Sequence, residues 1–113
     1  MPFIRTTTTA RIEKNTADLI AKAYGQAITL IKGKTEAGLM LSFDGERTMY
    51  LGGSDEPCAM VEVQVYGKGD PADYENLTAE ITRILSGAFG LSPSRVYVRY
   101  EEVFHWGCGG HNF

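Results

Sequence analysis

The residue of this chain with the clearest chemical potential is Pro2, which follows the initial methionine. A methionine before a small residue is normally removed, and its removal would leave the secondary amine of Pro2 as the amino terminus. Such an α-amine has a pKa of about 7.7–8.0. Burial among apolar groups or a nearby positive charge lowers this pKa. We therefore expect that Pro2 can act as a general base at physiological pH, although many Met-Pro starts have no such role.

The composition indicates one globular domain over residues 1–113, which are 43% hydrophobic and 22% charged with a net charge of −3. This mildly acidic balance, without a cluster of basic residues, argues against a nucleic-acid partner. No apolar run approaches the roughly 20 residues of a membrane helix, and the first residues lack the hydrophobic core of a signal peptide. We therefore expect a cytoplasmic protein that does not contact a membrane.

The cysteines and histidines do not predict a disulfide framework or a metal site. Cys58 and Cys108 are the only two cysteines in the sequence, too few for such a framework. His105, Cys108 and His111 are residue types that zinc accepts. The glycines between them and the lack of a clear fourth ligand argue against binding. We therefore expect no metal and no other cofactor.

The first half of the chain has the pattern of a strand, a helix and a strand. Residues 2–8 are rich in β-branched and aromatic side chains, which favours a strand. Apolar residues at helical spacing predict a helix from about Asn15 to Ile31, ended by Gly33. Alternation between Leu39 and Phe43 predicts a second strand, and a further short strand is expected from Arg47 to Leu51.

The same order repeats in the second half. Residues 58–66 alternate as in a strand. Asp70 is suited to cap a helix that begins at Pro71 and ends at Gly90. Residues 95–100 alternate again. The two tandem βαβ units predict an α+β domain of two layers, in which a four-stranded mixed sheet has both helices on one face.

The sheet face without helices is expected to be exposed and apolar. Depending on the register of the strands, it would carry Phe3, Met60 or Val61, and parts of Tyr97 and Tyr100. A large apolar face favours association with other copies. We therefore expect a trimer or a similar ring.

Several sequence blocks together give the chain a specific resemblance to a known family. They are Met1–Ile4, Gly33-Lys34, Gly52–Ala59, Ser92–Tyr97 and the tail Trp106-Gly107-x-x-Gly110-x-x-Phe113. In order and spacing they resemble the macrophage migration inhibitory factor and D-dopachrome tautomerase family of the tautomerase superfamily. The resemblance implies a homotrimer whose sheets line a central barrel, with an active site at each subunit interface. It also implies cofactor-free keto–enol tautomerisation of phenylpyruvate-like 2-oxo acids, with Pro2 as the catalytic base.

The resemblance assigns substrate-binding roles to two further side chains. Lys34 matches the family's pocket lysine, whose ammonium could bind a substrate carboxylate or the enolate oxygen; the alternative is a solvated lysine at a helix end. Tyr97 matches the pocket tyrosine that the adjacent subunit supplies, and the alternative for it is core packing.

Three positions near the expected site depart from the family pattern. Tyr66 stands where an isoleucine is common; its backbone N–H could contact a substrate carboxylate, and its ring could narrow the pocket. Arg99 stands where an asparagine is familiar, and it could bind a carboxylate with two hydrogen bonds or simply lie on the surface. Cys108 replaces an aromatic residue at the pocket rim, so Trp106 is expected to be the apolar cover.

Two alternative functions stay open at this point. One is a cytokine-like extracellular signalling protein, exported without a signal peptide, which binds a receptor and keeps only a vestigial tautomerase site. The other is a tautomerase whose substrate is unrelated to aryl pyruvates, an alternative suggested by Tyr66 and Arg99.

Overall fold

Four strands form one mixed sheet in the computed structural model, which describes residues 1–113. In the order of the sheet they are β2 (Met40–Asp44), β1 (Pro2–Thr8), β3 (Ala59–Tyr66) and β4 (Val96–Val103). Strand β1 runs parallel to β2 and antiparallel to β3, and β3 runs parallel to β4. The predicted four-stranded mixed sheet is confirmed.

Two helices, α1 (Lys14–Ala27) and α2 (Pro71–Phe89), cover one face of the sheet, as predicted. Helix α1 ends earlier than expected, because residues 28–30 form a 3₁₀ turn. Helix α2 begins as predicted, since the Asp70 side chain accepts a hydrogen bond of 2.9 Å from the backbone N–H of Ala72. Neither helix is long and apolar enough to cross a membrane.

The predicted strand from Arg47 to Leu51 is wrong for the single chain. Only an isolated bridge between Leu51 and Ser54 is present in this region. A strand requires a neighbour with which to exchange a ladder of backbone hydrogen bonds. Here the backbone bonds are isolated, from the Arg47 N–H to the Thr8 carbonyl and between Leu51 and Ser54. Gly52 and Gly53 lie in the left-handed region, at φ values of 63° and 78°, and turn the chain there.

The end of the chain is more ordered than the sequence predicted. Strand β4 continues three residues beyond the predicted end at Tyr100, to Val103. Two short strands, β5 (Gly107–Cys108) and β6 (His111–Asn112), then pair in an antiparallel hairpin. We call residues 107–112 the tail hairpin.

The core lies between the sheet and the helices and is almost entirely apolar. Its largest fully buried aliphatic side chains come from both layers: Ile4, Val61, Val63 and Val65 from the sheet, and Ile20, Leu77, Ile81 and Leu85 from the helices. One buried polar pair joins the layers, because the hydroxyls of Thr6 and Tyr24 are hydrogen-bonded at 2.8 Å. Burial raises the pKa of the Tyr24 phenol, so this hydroxyl stays protonated.

The sheet face opposite the helices is less apolar than predicted. Phe3, Met60 and Tyr97 belong to this free face, in alternation with the buried residues of their strands. Val61 is instead fully buried on the helix side. Tyr100 also faces the helices, where its ring stacks on Tyr74 with the centroids 4.6 Å apart.

Charged residues occupy the middle of the free face. Arg5, Glu62 and Arg99 lie in one row across β1, β3 and β4. The guanidinium of Arg99 is 3.2 Å from the Glu62 carboxylate and 2.8 Å from that of Glu101. The prediction of an apolar face is wrong in this row, because each of the three strands contributes a charged residue to it.

The buried hydroxyl pair predicts a measurable stability effect. Tyr24→Phe leaves the Thr6 hydroxyl without a partner at 0% exposure, so the free energy of unfolding should fall by about 1–3 kcal/mol. Urea denaturation measures this loss. The control is the double variant Tyr24→Phe with Thr6→Val, which removes both polar groups and should regain most of the stability. Equal losses in the single and double variants would show that the hydrogen bond contributes little.

Candidate active site

Pro2 is the first residue of β1 and is buried, with Val65 as its partner on β3. It lies on the wall of a cavity of about 380 Å³. The other main contributors to this wall, here called the Pro2 cavity, are Met1, Phe3, Gln64, Trp106 and Cys108. The pairing of β1 with β3 and the tail hairpin therefore both contribute to the cavity beside Pro2. Trp106 lies on this wall, in the place predicted for it.

Lys34 lies beside the same end of the sheet. It follows Gly33, which has a φ of 80° in the left-handed region and redirects the chain after the 3₁₀ turn. The Lys34 ammonium donates a hydrogen bond of 2.9 Å to the backbone carbonyl of Tyr66. Lys34 is thus held at the end of β3, and it is not a freely solvated side chain at a helix end.

The environment of the amino terminus favours a neutral amine. The pKa of the Met1 amine is lowered from its ordinary value of 8.0, chiefly by burial and further by the charge and hydrogen bonding of Lys34. Both effects disfavour the protonated form. A neutral amine can accept a proton, so this part of the molecule suits a general base.

Tyr66 links three parts of the site through its backbone and its ring. Its carbonyl accepts the hydrogen bond from Lys34, and its N–H donates one of 3.0 Å to the Met1 carbonyl. Its ring lies 5.7 Å from that of Phe113, at an angle of 51°. The Tyr66 N–H, predicted to contact a substrate carboxylate, is thus bonded to Met1 in this structure, and its role in substrate binding stays a prediction. Phe113 was not predicted as a site residue, although the tail pattern contained it.

A second, smaller cavity adjoins Lys34 and Tyr66 on the helix side. Its volume is about 190 Å³, and its wall has mixed charge from Lys32, Lys34, Lys68, Asp70 and Asp73. The carboxylates already have local partners, since Asp70 caps α2 and Asp73 accepts a hydrogen bond from the Lys32 backbone. Lys34 is the residue that connects this cavity with the amino terminus.

Tyr97 lies far from Pro2 within one chain. The sheet register places Pro2 level with Val65 and Glu102, and Tyr97 comes five residues earlier on β4. At about 3.3 Å per residue, this separation exceeds roughly 15 Å. Tyr97 is 52% exposed, so it does not have the core-packing role that was its alternative.

Tyr97 instead belongs to an apolar groove of about 220 Å³. The groove is lined entirely by hydrophobic side chains, which besides Tyr97 are Met49, Tyr50, Leu51, Cys58, Ala59 and Met60. We call it the Tyr97 groove. One chain therefore carries the predicted site residues in two separate places.

Arg99 is engaged on the free face of the sheet and does not line the Pro2 cavity. Its guanidinium pairs with the carboxylates of Glu62 and Glu101. A substrate carboxylate would have to compete with these two partners. The structure therefore brings Lys34, Tyr66 and Trp106 to the Pro2 end of the sheet, and leaves Arg99 and Tyr97 outside it.

Arg95 was not predicted as important, although it is part of a block that carried the family resemblance. Its guanidinium donates to four backbone carbonyls of one loop, those of Leu51, Ser54, Glu56 and Pro57, at 2.9–3.2 Å. These bonds fix the loop beside the Tyr97 groove. No feature of the sequence pattern alone distinguishes such a clamp from a surface arginine.

The histidines and cysteines of the tail do not gather into a metal site. Cys108 and His111 are partners across the tail hairpin. No group of three or more His, Cys, Asp or Glu side chains is placed to hold a metal ion.

Comparison with known proteins agrees with the sequence blocks. The family model for macrophage migration inhibitory factor matches residues 1–112. D-dopachrome decarboxylase of Gallus gallus is 28% identical over 110 residues, covering 96% of this chain and 92% of the relative. The macrophage migration inhibitory factor of Mus musculus is 26% identical, covering 69% of this chain and 68% of the relative.

Solved structures show the same fold. Leishmania major MIF2 has a TM-score of 0.94 and 28% identity, with coverage of 100% of this chain and 97% of that one. A macrophage migration inhibitory factor-like protein from Entamoeba histolytica has a TM-score of 0.87 at 18% identity, covering 99% and 98% of the two chains, and supports the fold alone.

These matches define a small α+β protein of the tautomerase type. The chain belongs to the macrophage migration inhibitory factor family. Membership supports a tautomerase or cytokine-like function, and the D-dopachrome relative supports an activity of the isomerase type.

The position of Lys34 predicts its effect on the amino-terminal amine. Lys34→Gln removes a positive charge and a hydrogen-bond donor, so the pKa of the amine should rise towards 8.0. Lys34→Arg keeps the charge and should keep most of the depression. Titration of the amine by NMR measures both variants. An unchanged pKa in Lys34→Gln would contradict the electrostatic role of Lys34.

Proposed function

We propose that this protein is a cofactor-free keto–enol tautomerase of phenylpyruvate-like 2-oxo acids, with the Pro2 nitrogen as the catalytic base. The observation that carries the proposal is the position of Pro2 on a cavity wall, next to an amino terminus whose amine has a lowered pKa. Family membership supports the reaction class. The nature of the substrate and the role of Pro2 are our inference.

The mechanism requires the removal of Met1, because an acylated proline nitrogen has no basic lone pair. Removal would also free the Tyr66 N–H, which now donates a hydrogen bond of 3.0 Å to the Met1 carbonyl. A carboxylate oxygen of the substrate could accept the same hydrogen bond. The volume vacated by Met1 would add to the Pro2 cavity at the point where the reacting carbon must lie.

In the proposed reaction the Pro2 nitrogen both takes up the proton and returns it to the substrate. The Pro2 nitrogen takes a proton from the carbon next to the keto group, the electron pair of that C–H bond forms the new C=C bond, and the π pair of the C=O bond moves onto the oxygen. The Lys34 ammonium is close enough to the amino terminus to stabilise the negative charge that develops. The protonated Pro2 then gives its proton to the oxygen, which yields the enol. A base placed in this way typically contributes about 10²–10⁴-fold to the rate.

The aromatic part of the substrate has candidate contacts at the same end of the sheet. Trp106 and Phe3 lie on the wall of the Pro2 cavity, and the Tyr66 ring lies next to the tail. These side chains can bury an aryl group, whereas Lys34 and the Tyr66 N–H suit a carboxylate. Arg99 stays a predicted carboxylate ligand, although its pairing with two glutamates reduces what it can contribute.

We also infer a homotrimer in which Tyr97 of one copy completes the Pro2 site of the next. Tyr97 is exposed in a wholly apolar groove and lies far from Pro2 of its own chain. The segment from Arg47 to Leu51 has strand-like residues but no strand partner within the chain. Both features suit burial against a second copy. A cytoplasmic location and a receptor, should the protein be exported, stay predictions.

The base is tested by Pro2→Gly. The variant keeps a primary α-amine but loses the ring that holds the nitrogen in place, so the kcat for interconversion of phenylpyruvate enol and keto forms should fall, by up to about 10²-fold. Intact mass spectrometry of both proteins must show the loss of Met1, and circular dichroism must show an unchanged fold. Full activity in a correctly processed and folded variant would overturn the specific requirement for the ring nitrogen of Pro2.

The pH dependence follows from the site of the amino terminus, where burial and Lys34 lower the pKa of the Met1 amine and should act in the same direction on the Pro2 amine once Met1 is removed. The base must be neutral to accept a proton. The value of kcat/KM should therefore reach its maximum at pH values above the pKa of Pro2 and should fall as the pH drops below this pKa. We expect this limb to move to higher pH in Lys34→Gln, because the variant lacks the positive charge that disfavours the protonated amine. If the limb lies at the same pH in both proteins, Lys34 does not influence the pKa of the base.

Mixed oligomers test whether the site is shared between copies. Pro2→Gly and Tyr97→Ala each damage one half of the site. Subunits carrying the two changes should regain activity when they are unfolded and refolded together, because some interfaces then join an intact Pro2 to an intact Tyr97. The control refolds each variant alone. No recovery in verified mixed oligomers would contradict the shared site.

A further inference from the structure

The tail hairpin is too small to be stable by itself. Its two strands, β5 and β6, contain only two residues each. Gly109 and Gly110 have φ values of 62° and 88°, as the primed turns of two-residue hairpins require. An isolated hairpin is marginal in water even when it is longer. The tail therefore needs an anchor elsewhere in the molecule.

Phe113 supplies contacts that can anchor the tail. Its ring lies 5.7 Å from the Tyr66 ring at an angle of 51°, a geometry in which aromatic pairs attract each other. Its backbone N–H donates a hydrogen bond of 3.0 Å to the Trp106 carbonyl, which closes the base of the hairpin. Phe113 thus closes the base of the hairpin and also attaches the hairpin to β3.

The anchored segment forms one wall of the Pro2 cavity. Trp106, Gly107 and Cys108 line this cavity together with Pro2 and Phe3. Tyr66, against which Phe113 packs, also holds Lys34 through its carbonyl. The Phe113 ring, which is 56% exposed, therefore contacts the same residue that holds the lysine at the end of β3.

We propose that Phe113 is a positioning residue that clamps the tail hairpin onto Tyr66 and so keeps the Trp106 wall closed around the Pro2 cavity. Its link to substrate binding rests on the proposed tautomerase function. Because Phe113 acts through the tail and does not touch the reacting atoms, it affects how firmly the aryl group is held. It should leave the proton transfer by Pro2 largely unchanged.

Replacement of the ring tests the clamp directly. Phe113→Ala removes the aromatic contact, and Phe113→Tyr keeps it as the matched control. An aromatic pair stabilises the closed state by about 2- to 12-fold in population, so the backbone amides of residues 107–112 should exchange hydrogen faster by that factor in Phe113→Ala. Emission of Trp106, the single tryptophan of the chain, should shift to longer wavelength. Phe113→Tyr should behave like the unmodified protein.

A double-mutant cycle assigns the effect to the partner ring. Tyr66→Leu should speed exchange in the hairpin as Phe113→Ala does, and the two changes together should add little beyond either alone. Fully multiplicative effects would show that Phe113 stabilises the tail through other contacts, which would overturn the clamp.

Kinetics test the consequence for the site. In Phe113→Ala, KM for phenylpyruvate should rise by about 2- to 12-fold while kcat changes less than twofold, since ground-state and transition-state binding are lost equally. Unchanged hydrogen exchange in the tail would overturn the proposal, as would a loss of kcat at constant KM. If the unmodified protein lacks tautomerase activity, the proposed function fails and so does the clamp's link to KM, whereas exchange and Trp106 emission still decide whether the clamp exists.

Discussion

The antiparallel pairing of β1 with β3 is the constraint on which the candidate site depends. This register sets Pro2 against Val65 and therefore brings the start of the chain next to Tyr66. The backbone of Tyr66 then bonds to both Lys34 and Met1. A shift by one residue would turn Ile4 and Thr6 away from the core and move the amino terminus off the cavity. Burial of the apolar face of β1 therefore determines the position of the amine.

Burial and charge act in the same direction on that amine. Desolvation lowers its pKa, and Lys34 lowers it further. The lysine carries this effect because Gly33 and the Tyr66 carbonyl fix its position. The same ammonium is available to an oxygen that becomes negative during enolisation. Under the proposed mechanism, one cation would keep the amine neutral and would also stabilise the negative charge that proton removal creates.

Much of the fold could be predicted from the sequence, because strand alternation, helical spacing and the Asp70 cap are local signals. The interactions of two arginines were less predictable. Those of Arg99 depend on which residues the strand register places in one row, and those of Arg95 depend on how a loop folds back onto its side chain. The segment from Arg47 to Leu51 has the residues of a strand, but whether it forms one depends on a neighbour outside the local pattern. Phe113 was visible as part of a tail pattern, yet only the folded hairpin gives its ring a partner.

The central claim is that the Pro2 nitrogen is a free amine, neutral near physiological pH. Labelling with ¹⁵N-proline tests it directly, because the chain has only four prolines and a secondary amine is readily distinguished from the amide nitrogens of the other three. The account predicts one amine resonance, assigned to Pro2, that loses its proton within the physiological pH range. Four amide-type resonances, or an amine that stays fully protonated throughout the physiological pH range, would contradict it.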